Sequence, residues 1–178
     1  MPAPEPIFSP RPHPATLEES ALLAGCDVSK GRSGGPGGQH RNKVETKVTL
    51  LHELTGVEAQ ASERRSAEEN RRVAMRRLRL ALATHVRCPV PLGEVRSALW
   101  LTRCDKRGRI ACNAEHWDYP ALLAEGLDVV WACQLDVAKA ALRLCCTTSQ
   151  LVKLVKDHPP AMTLLNAARD AAGERVLK

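Results

Sequence analysis

Positions 34, 35, 37 and 38 are glycine, interrupted only by Pro36, and no other stretch restricts its surroundings so severely. Glycine has no Cβ and tolerates positive φ, so this backbone reaches where ordinary residues would clash, at a large entropy cost on ordering. Pro36, with its fixed φ, limits that cost. Something must approach such a segment closely. A single amide, Gln39, follows the second glycine pair, and Lys30, Arg32, Arg41 and Lys43 flank the stretch. A phosphate-cradling P-loop would end in Gly-Lys followed by Ser or Thr, whereas Gln39 brings no charge to a phosphate.

The net charge of +6 is local. Residues 30–87 hold 13 Lys and Arg against 6 Asp and Glu, and the rest of the chain is close to neutral. A basic segment of this kind is the footprint expected for a polyanion, nucleic acid first, with a merely solvated charged surface as the alternative. One Phe, one Tyr and three Trp leave few rings for stacking splayed bases, which argues against the common single-strand RNA readers. No run is long enough to span a membrane, no secretory signal is present, and the seven cysteines form no C-x-x-C pair. A cytoplasmic protein with reduced thiols and no metal is expected; Cys112 and His116 lack two further ligands at suitable spacing.

Six prolines within residues 1–15 predict a disordered leader. Thr16 and Glu19 fit a capping box for a short helix that Gly25 ends in a left-handed cap, and Cys26 to Arg32 then reads as a strand. Beyond the glycine stretch, Val44 to Lys47 reads as a turn of helix. Val48 to Gln60 alternates as a β-hairpin about Thr55-Gly56, with His52 a partly buried sheet residue. A second capping box at Ser66 and Glu69 opens a helix over about 66–86. Ala67, Ala74, Met75, Leu78 and Leu82 form its apolar stripe, and Arg65, Arg72, Arg76 and Arg79 form another that guanidinium chemistry suits to phosphates.

Pro89, Pro91 and Gly93 mark a linker over 88–96. Beyond it Trp100 to Asn113 reads as a small hairpin about Lys106-Arg107-Gly108, followed by helices from Asp118 to Cys133, Asp136 to Leu144, Thr148 to Lys156 and Ala161 to Ala172. The pair joined by Cys145-Cys146-Thr147 has helix-turn-helix spacing without the usual turn glycine. The expected class is therefore α+β: a leader (1–15), a small mixed domain (16–87), a linker (88–96) and a mostly helical module (97–178).

Read from Arg32 to Val48, with Gly37-Gly38-Gln39 at its centre and Asn42, Thr46 and Val48 at characteristic spacing, the segment resembles the class I peptide chain release factor family. The resemblance runs from about Cys26 to Ala83. It implies a loop that enters the ribosomal peptidyl-transferase centre and promotes hydrolysis of the ester between nascent peptide and tRNA. Gly37, Gly38 and Gln39 would be the catalytic residues: the Gln39 backbone N–H would stabilise the oxyanion, its side chain would favour water as nucleophile, and the glycines would aim the N–H. The cations Lys30, Arg32, Arg41, Lys43, Arg65, Arg72, Arg76 and Arg79 would bind RNA, His40 would position the loop, and no cofactor or metal would be needed. Gly34 stands where Ser is usual, and Arg41 where Val or Ile is usual, which puts efficiency in question more than reaction type.

Stop-codon-reading members carry a large preceding domain, and only 25 residues precede the strand here. Small rescue members carry a basic tail, which the ending Glu174 to Lys178 is not. The resulting expectation is a monomeric, codon-independent release-factor-like hydrolase, partnered by the ribosome and peptidyl-tRNA and targeted by its helical module. Its alternatives are a non-enzymatic RNA- or ribosome-binding protein that keeps the fold, and a helix-turn-helix regulator with a basic appendage.

Overall fold

The computed structural model describes residues 5–31 and 45–178. In chain order the elements are β1 (Ile7–Phe8), a 3-10 turn (Pro14–Thr16), α1 (Glu19–Ala24), β2 (Cys26–Gly31), β3 (Lys47–His52), β4 (Val57–Ala61), α2 (Ala67–His85), β5 (Val86–Arg87), α3 (Ala98–Arg103), α4 (Tyr119–Ala132), α5 (Val137–Arg143), α6 (Thr148–Lys156) and α7 (Pro159–Ala171). The fold is α+β. Two compact units divide the chain: Pro14–Leu82, and Met1–His13 together with Ala83–Lys178.

The first of these is a mixed unit holding an antiparallel sheet in the order β2-β3-β4. Period-two burial in β3 puts Val48, Leu50 and His52 inside, and Val57 and Ala61 of β4 join them. Register pairs His52 with Val57 across the turn. His52 Nδ1 lies 2.7 Å from the Thr55 hydroxyl, and the Gly56 N–H donates to the His52 carbonyl at 2.8 Å. On α2, Ala74, Met75, Leu78 and Leu82 are buried at helical spacing, as the apolar stripe requires.

Two local expectations fail at the start of this unit. Residues 14–16 form a 3-10 turn, and the N-cap of α1 is Glu18 rather than Thr16, without a side-chain hydrogen bond from Glu18. Gly25 has φ −98° rather than a left-handed value, since the chain passes directly into β2 and its carbonyl accepts from Glu53 N–H at 3.0 Å. The expected helical turn over Val44 to Lys47 is also absent from its described part: residues 45–46 are irregular and Lys47 already pairs with Gly31.

The second unit is mostly helical and discontinuous in sequence. Residues 5–13, expected as a disordered leader, instead pair β1 in parallel with β5, and Ser9 N–H donates to the Arg87 carbonyl at 3.0 Å. The expected linker contributes to the fold as well, with Cys88 and Val95 buried. Extended, proline-rich backbone suits a short edge strand, which explains how a composition typical of disorder is ordered here.

The expected hairpin is present in shortened form: α3, whose N-cap Ser97 accepts from Trp100 N–H, takes its first residues, and a turn about Lys106-Arg107-Gly108 then joins an antiparallel bridge between Cys104 and Ile110, with Ala111 N–H donating to the Arg103 carbonyl at 2.7 Å. Burial of Trp100, whose indole N–H donates to the Leu144 carbonyl at 2.9 Å, draws those first residues into a helix. Tyr119 likewise buries its ring and donates its hydroxyl to the Leu154 carbonyl at 2.7 Å. The turn between α5 and α6 manages without glycine because Cys145 adopts φ 50°. Beside it Gly108, at φ 73°, brings its carbonyl to the Thr147 N–H; a Cβ there would lie 2.8 Å from Thr147 N.

Candidate functional site

Strands β2 and β3 bracket the glycine stretch. Their register runs from Cys26 opposite His52 to Gly31 opposite Lys47, so the intervening segment departs from and returns to one end of the sheet. Gly37, Gly38 and Gln39, with the flanking Arg32, Arg41 and Lys43, lie outside the described residues. What the structure describes is the frame: an exposed Lys30 on the outgoing strand, Lys47 on the returning one, and the anchorage of the residues between Lys47 and the stretch.

That anchorage depends on Asn70, a residue that sequence reading passed over. Its side chain is fully buried. The amide nitrogen donates to the Thr46 carbonyl at 2.6 Å and to the Arg64 carbonyl at 3.0 Å, and the amide oxygen accepts from Arg64 N–H at 2.9 Å. One amide thus ties the returning chain to the entry of α2. Arg77 adds a second tie, from its guanidinium to the Gln60 carbonyl at 2.8 Å and to Glu63. The available signal was an Asn in the first turn of a helix otherwise opened by acids, where it has no favoured helical role.

The arginine stripe divides. Arg65 and Arg72 are exposed, Arg72 with Glu68 at 3.5 Å, and Arg76 is half-buried. Arg79 corrects the expectation of an RNA contact: it is 3% exposed, and its Nε and Nη2 donate to the Ala15 carbonyl at 3.1 and 2.9 Å. The carbonyl of the 3-10 turn needs a donor, and the guanidinium supplies two while its stem packs inside the unit. Arg71, between Glu19 and Glu68, belongs equally to the architecture. The hydrogen bonds from Arg71 hold the Glu68 carboxyl below its ordinary pKa, and those from Arg77 do the same for Glu63. Burial lowers the His52 pKa, against a smaller opposing pull from Glu53, so the ring is a neutral sheet residue.

Among the described residues, the group of three metal-capable side chains that lies close together is in the helical unit, not in the one bearing the glycine stretch. Cys112 and His116 are not brought together in it; His116 sits against Arg103 and Asp118. The described part of the site therefore consists of a three-stranded platform, a clamped re-entry and a partly exposed row of cations.

In sequence, Gly37-Gly38-Gln39 falls between β2 and β3, and the long helix α2 follows the sheet. The family model described as the RF-1 domain matches residues 24–89. Peptide chain release factor 2 of Variovorax paradoxus is 46% identical over 54 residues, covering 30% of this chain and 15% of that protein. An uncharacterized mitochondrial peptide chain release factor-like protein of Saccharomyces cerevisiae is 53% identical over 47 residues, covering 26% of this chain and 29% of that one. Peptide chain release factor 1 of Dictyoglomus thermophilum is 47% identical over 51 residues, covering 29% and 14%. The chain thus matches less than a third of the length of each of these relatives. No solved structure matches it significantly. Over residues 24–89 the chain is therefore similar to the RF-1 domain and to the corresponding part of peptide chain release factors.

Proposed function

We propose that this protein is a codon-independent, ribosome-dependent peptidyl-tRNA hydrolase that acts in translation termination or ribosome rescue. The intact Gly37-Gly38-Gln39 sequence within the family match carries the reading. In this mechanism the glycines let the backbone turn so that the main-chain N–H of Gln39 points at the oxyanion developing on the ester carbonyl. A single preorganised donor in a water-poor site contributes about 3 kcal/mol of transition-state stabilisation. The Gln39 side chain shapes the pocket to admit water, and ribosomal RNA and the tRNA ribose supply the other polar groups. Lys30, Arg32, Arg41, Lys43, Arg65, Arg72 and Arg76 dock the domain on large-subunit RNA. Residues 90–178, which lie beyond the family match and supply most of the helical unit, would provide the targeting in place of codon reading.

The test is release of labelled peptide from purified ribosomes holding peptidyl-tRNA, with and without a codon in the decoding site. The wild-type chain should release peptide in both cases, Gly38→Ala should nearly abolish release, and Gln39→Ala should weaken it, with circular dichroism unchanged for both variants. Equal release by the wild type and Gly38→Ala would refute hydrolysis and leave a ribosome-binding protein.

A further inference from the structure

His13, Cys88 and Asp128 come from the N-terminal segment, the end of β5 and the middle of α4, and all three are buried in the helical unit. A ring nitrogen, the thiol sulfur and a carboxylate oxygen from these residues lie within 4.8 Å of one another. Backbone contacts orient them. The Cys88 N–H donates to Asp128 Oδ1 at 3.0 Å, and His13 Nε2 lies 3.2 Å from the Val86 carbonyl. A ligating histidine ordinarily donates its other ring N–H to a carbonyl or carboxylate in this way.

We propose that His13, Cys88 and Asp128 bind a zinc ion that fastens the N-terminal segment and α4 to the end of β5. Thiolate, imidazole and carboxylate together form a donor set of borderline softness that suits zinc better than magnesium or calcium. Zinc bonds of about 2.0–2.3 Å make the edges of a tetrahedral site roughly 3.3–3.7 Å, so the three donors need to draw in by little more than about 1 Å. The Pro10 carbonyl, 3.5 Å from the Cys88 sulfur, is placed to serve as a fourth donor once the thiol loses its proton.

Arg87 lies 3.8 Å from Asp128. Its guanidinium also donates to the Ala83, Thr84 and Val86 carbonyls and lies 4.5 Å over the Trp131 ring. Its charge is therefore shared with backbone oxygens and an aromatic face, and the Cys88 thiol and Asp128 carboxyl, releasing any protons to solvent as zinc binds, would neutralise the ion.

Metal-stripped full-length protein would be titrated with Zn²⁺ in competition with a chromogenic chelator, and with Co²⁺ followed by absorption. About one equivalent should bind per chain, and the cobalt form should show a thiolate charge-transfer band. Cys88→Ser should abolish that band, while His13→Gln and Asp128→Asn should each weaken zinc binding about tenfold or more. Cys112→Ser, which alters the cysteine close to His116 in sequence, should change neither. Absence of binding, or a cobalt band that survives Cys88→Ser or disappears with Cys112→Ser, overturns the proposal. Since a core variant can fail to fold, ¹¹³Cd NMR of the wild type provides an independent test: one bound resonance in the range for a single sulfur donor supports the site, and a multi-sulfur shift or no bound resonance overturns it.

Discussion

Arg72 and Arg79 are separated by two turns of α2 and have opposite surroundings. The first is exposed beside Glu68, and the second is buried with both donors on the Ala15 carbonyl. Arg79→Ala should destabilise the mixed unit by on the order of 2–3 kcal/mol, because it leaves a carbonyl short of its donors and opens a cavity. Arg72→Ala should leave the denaturation midpoint nearly unchanged; under the proposed RNA-docking role it should instead weaken ribosome binding and reduce its salt dependence. Comparing urea melts with a salt series of ribosome binding separates the two; equal melts for both variants would refute the structural role of Arg79. His52 makes a second prediction at this scale. Its folded-state pKa lies below the ordinary 6.5, so the unfolded chain takes up the proton first as pH falls. The stability it contributes is complete above about pH 6.5 and declines below it, until the folded ring also protonates. Hydrogen-exchange protection of β3 and β4 should fall correspondingly on acidification, and His52→Gln should remove that part of the slope.

Elements in this chain are held by a few polar ties whose removal is not equivalent to loss of apolar area. Gly108 is the sharpest instance: a side chain there meets the Thr147 nitrogen at 2.8 Å and also requires φ 73°. Gly108→Ala should cost more than about 2 kcal/mol and expose the amides at the start of α6 to exchange, whereas Gly173→Ala, at φ 75° but with no atom within 4 Å, should cost about 1 kcal/mol. Equal losses in the two variants would show that the close approach to Thr147 is unimportant. Elements with strong periodicity, such as α2 and the β3-β4 hairpin, were legible because burial and pattern agree over many residues. The clamp by Asn70 was not, since its partners at Thr46 and Arg64 lie on different segments and backbone carbonyls leave no mark in a sequence. Stripe membership likewise gave no way to distinguish Arg79 from Arg72: periodicity specifies a face, while the presence of the Ala15 carbonyl on part of that face is a tertiary fact. The Gly-Gly-Gln motif could be recognised for the opposite reason, because it is made of consecutive residues that can be read directly from the chain.

At the scale of the molecule, the helical unit is assembled from both ends of the described chain, with Met1–His13 joined to Ala83–Lys178 around the mixed unit's sequence. Its N-terminal part contributes strand β1 opposite β5, the Ser9 N–H to the Arg87 carbonyl, a bond between the Arg11 side chain and the Pro89 carbonyl at 2.5 Å, and the buried His13 ring against the Val86 carbonyl. Each such hydrogen bond contributes about 1 kcal/mol net, and stripping them leaves buried carbonyls without donors at further cost. Deleting residues 1–13 should therefore lower the stability of a unit whose other residues begin only at Ala83. Hydrogen exchange read by mass spectrometry should show protection lost in β5 and α4 and retained in β3 and β4, because the sheet's own pairing involves none of the deleted residues. The deletion also removes His13 and Pro10, so bound zinc should be lost with the same protection. Undiminished exchange protection in α4 would mean that the N-terminal segment rides on the helical unit without supporting it; loss of protection throughout β3 and β4 as well would mean that the two units unfold as one.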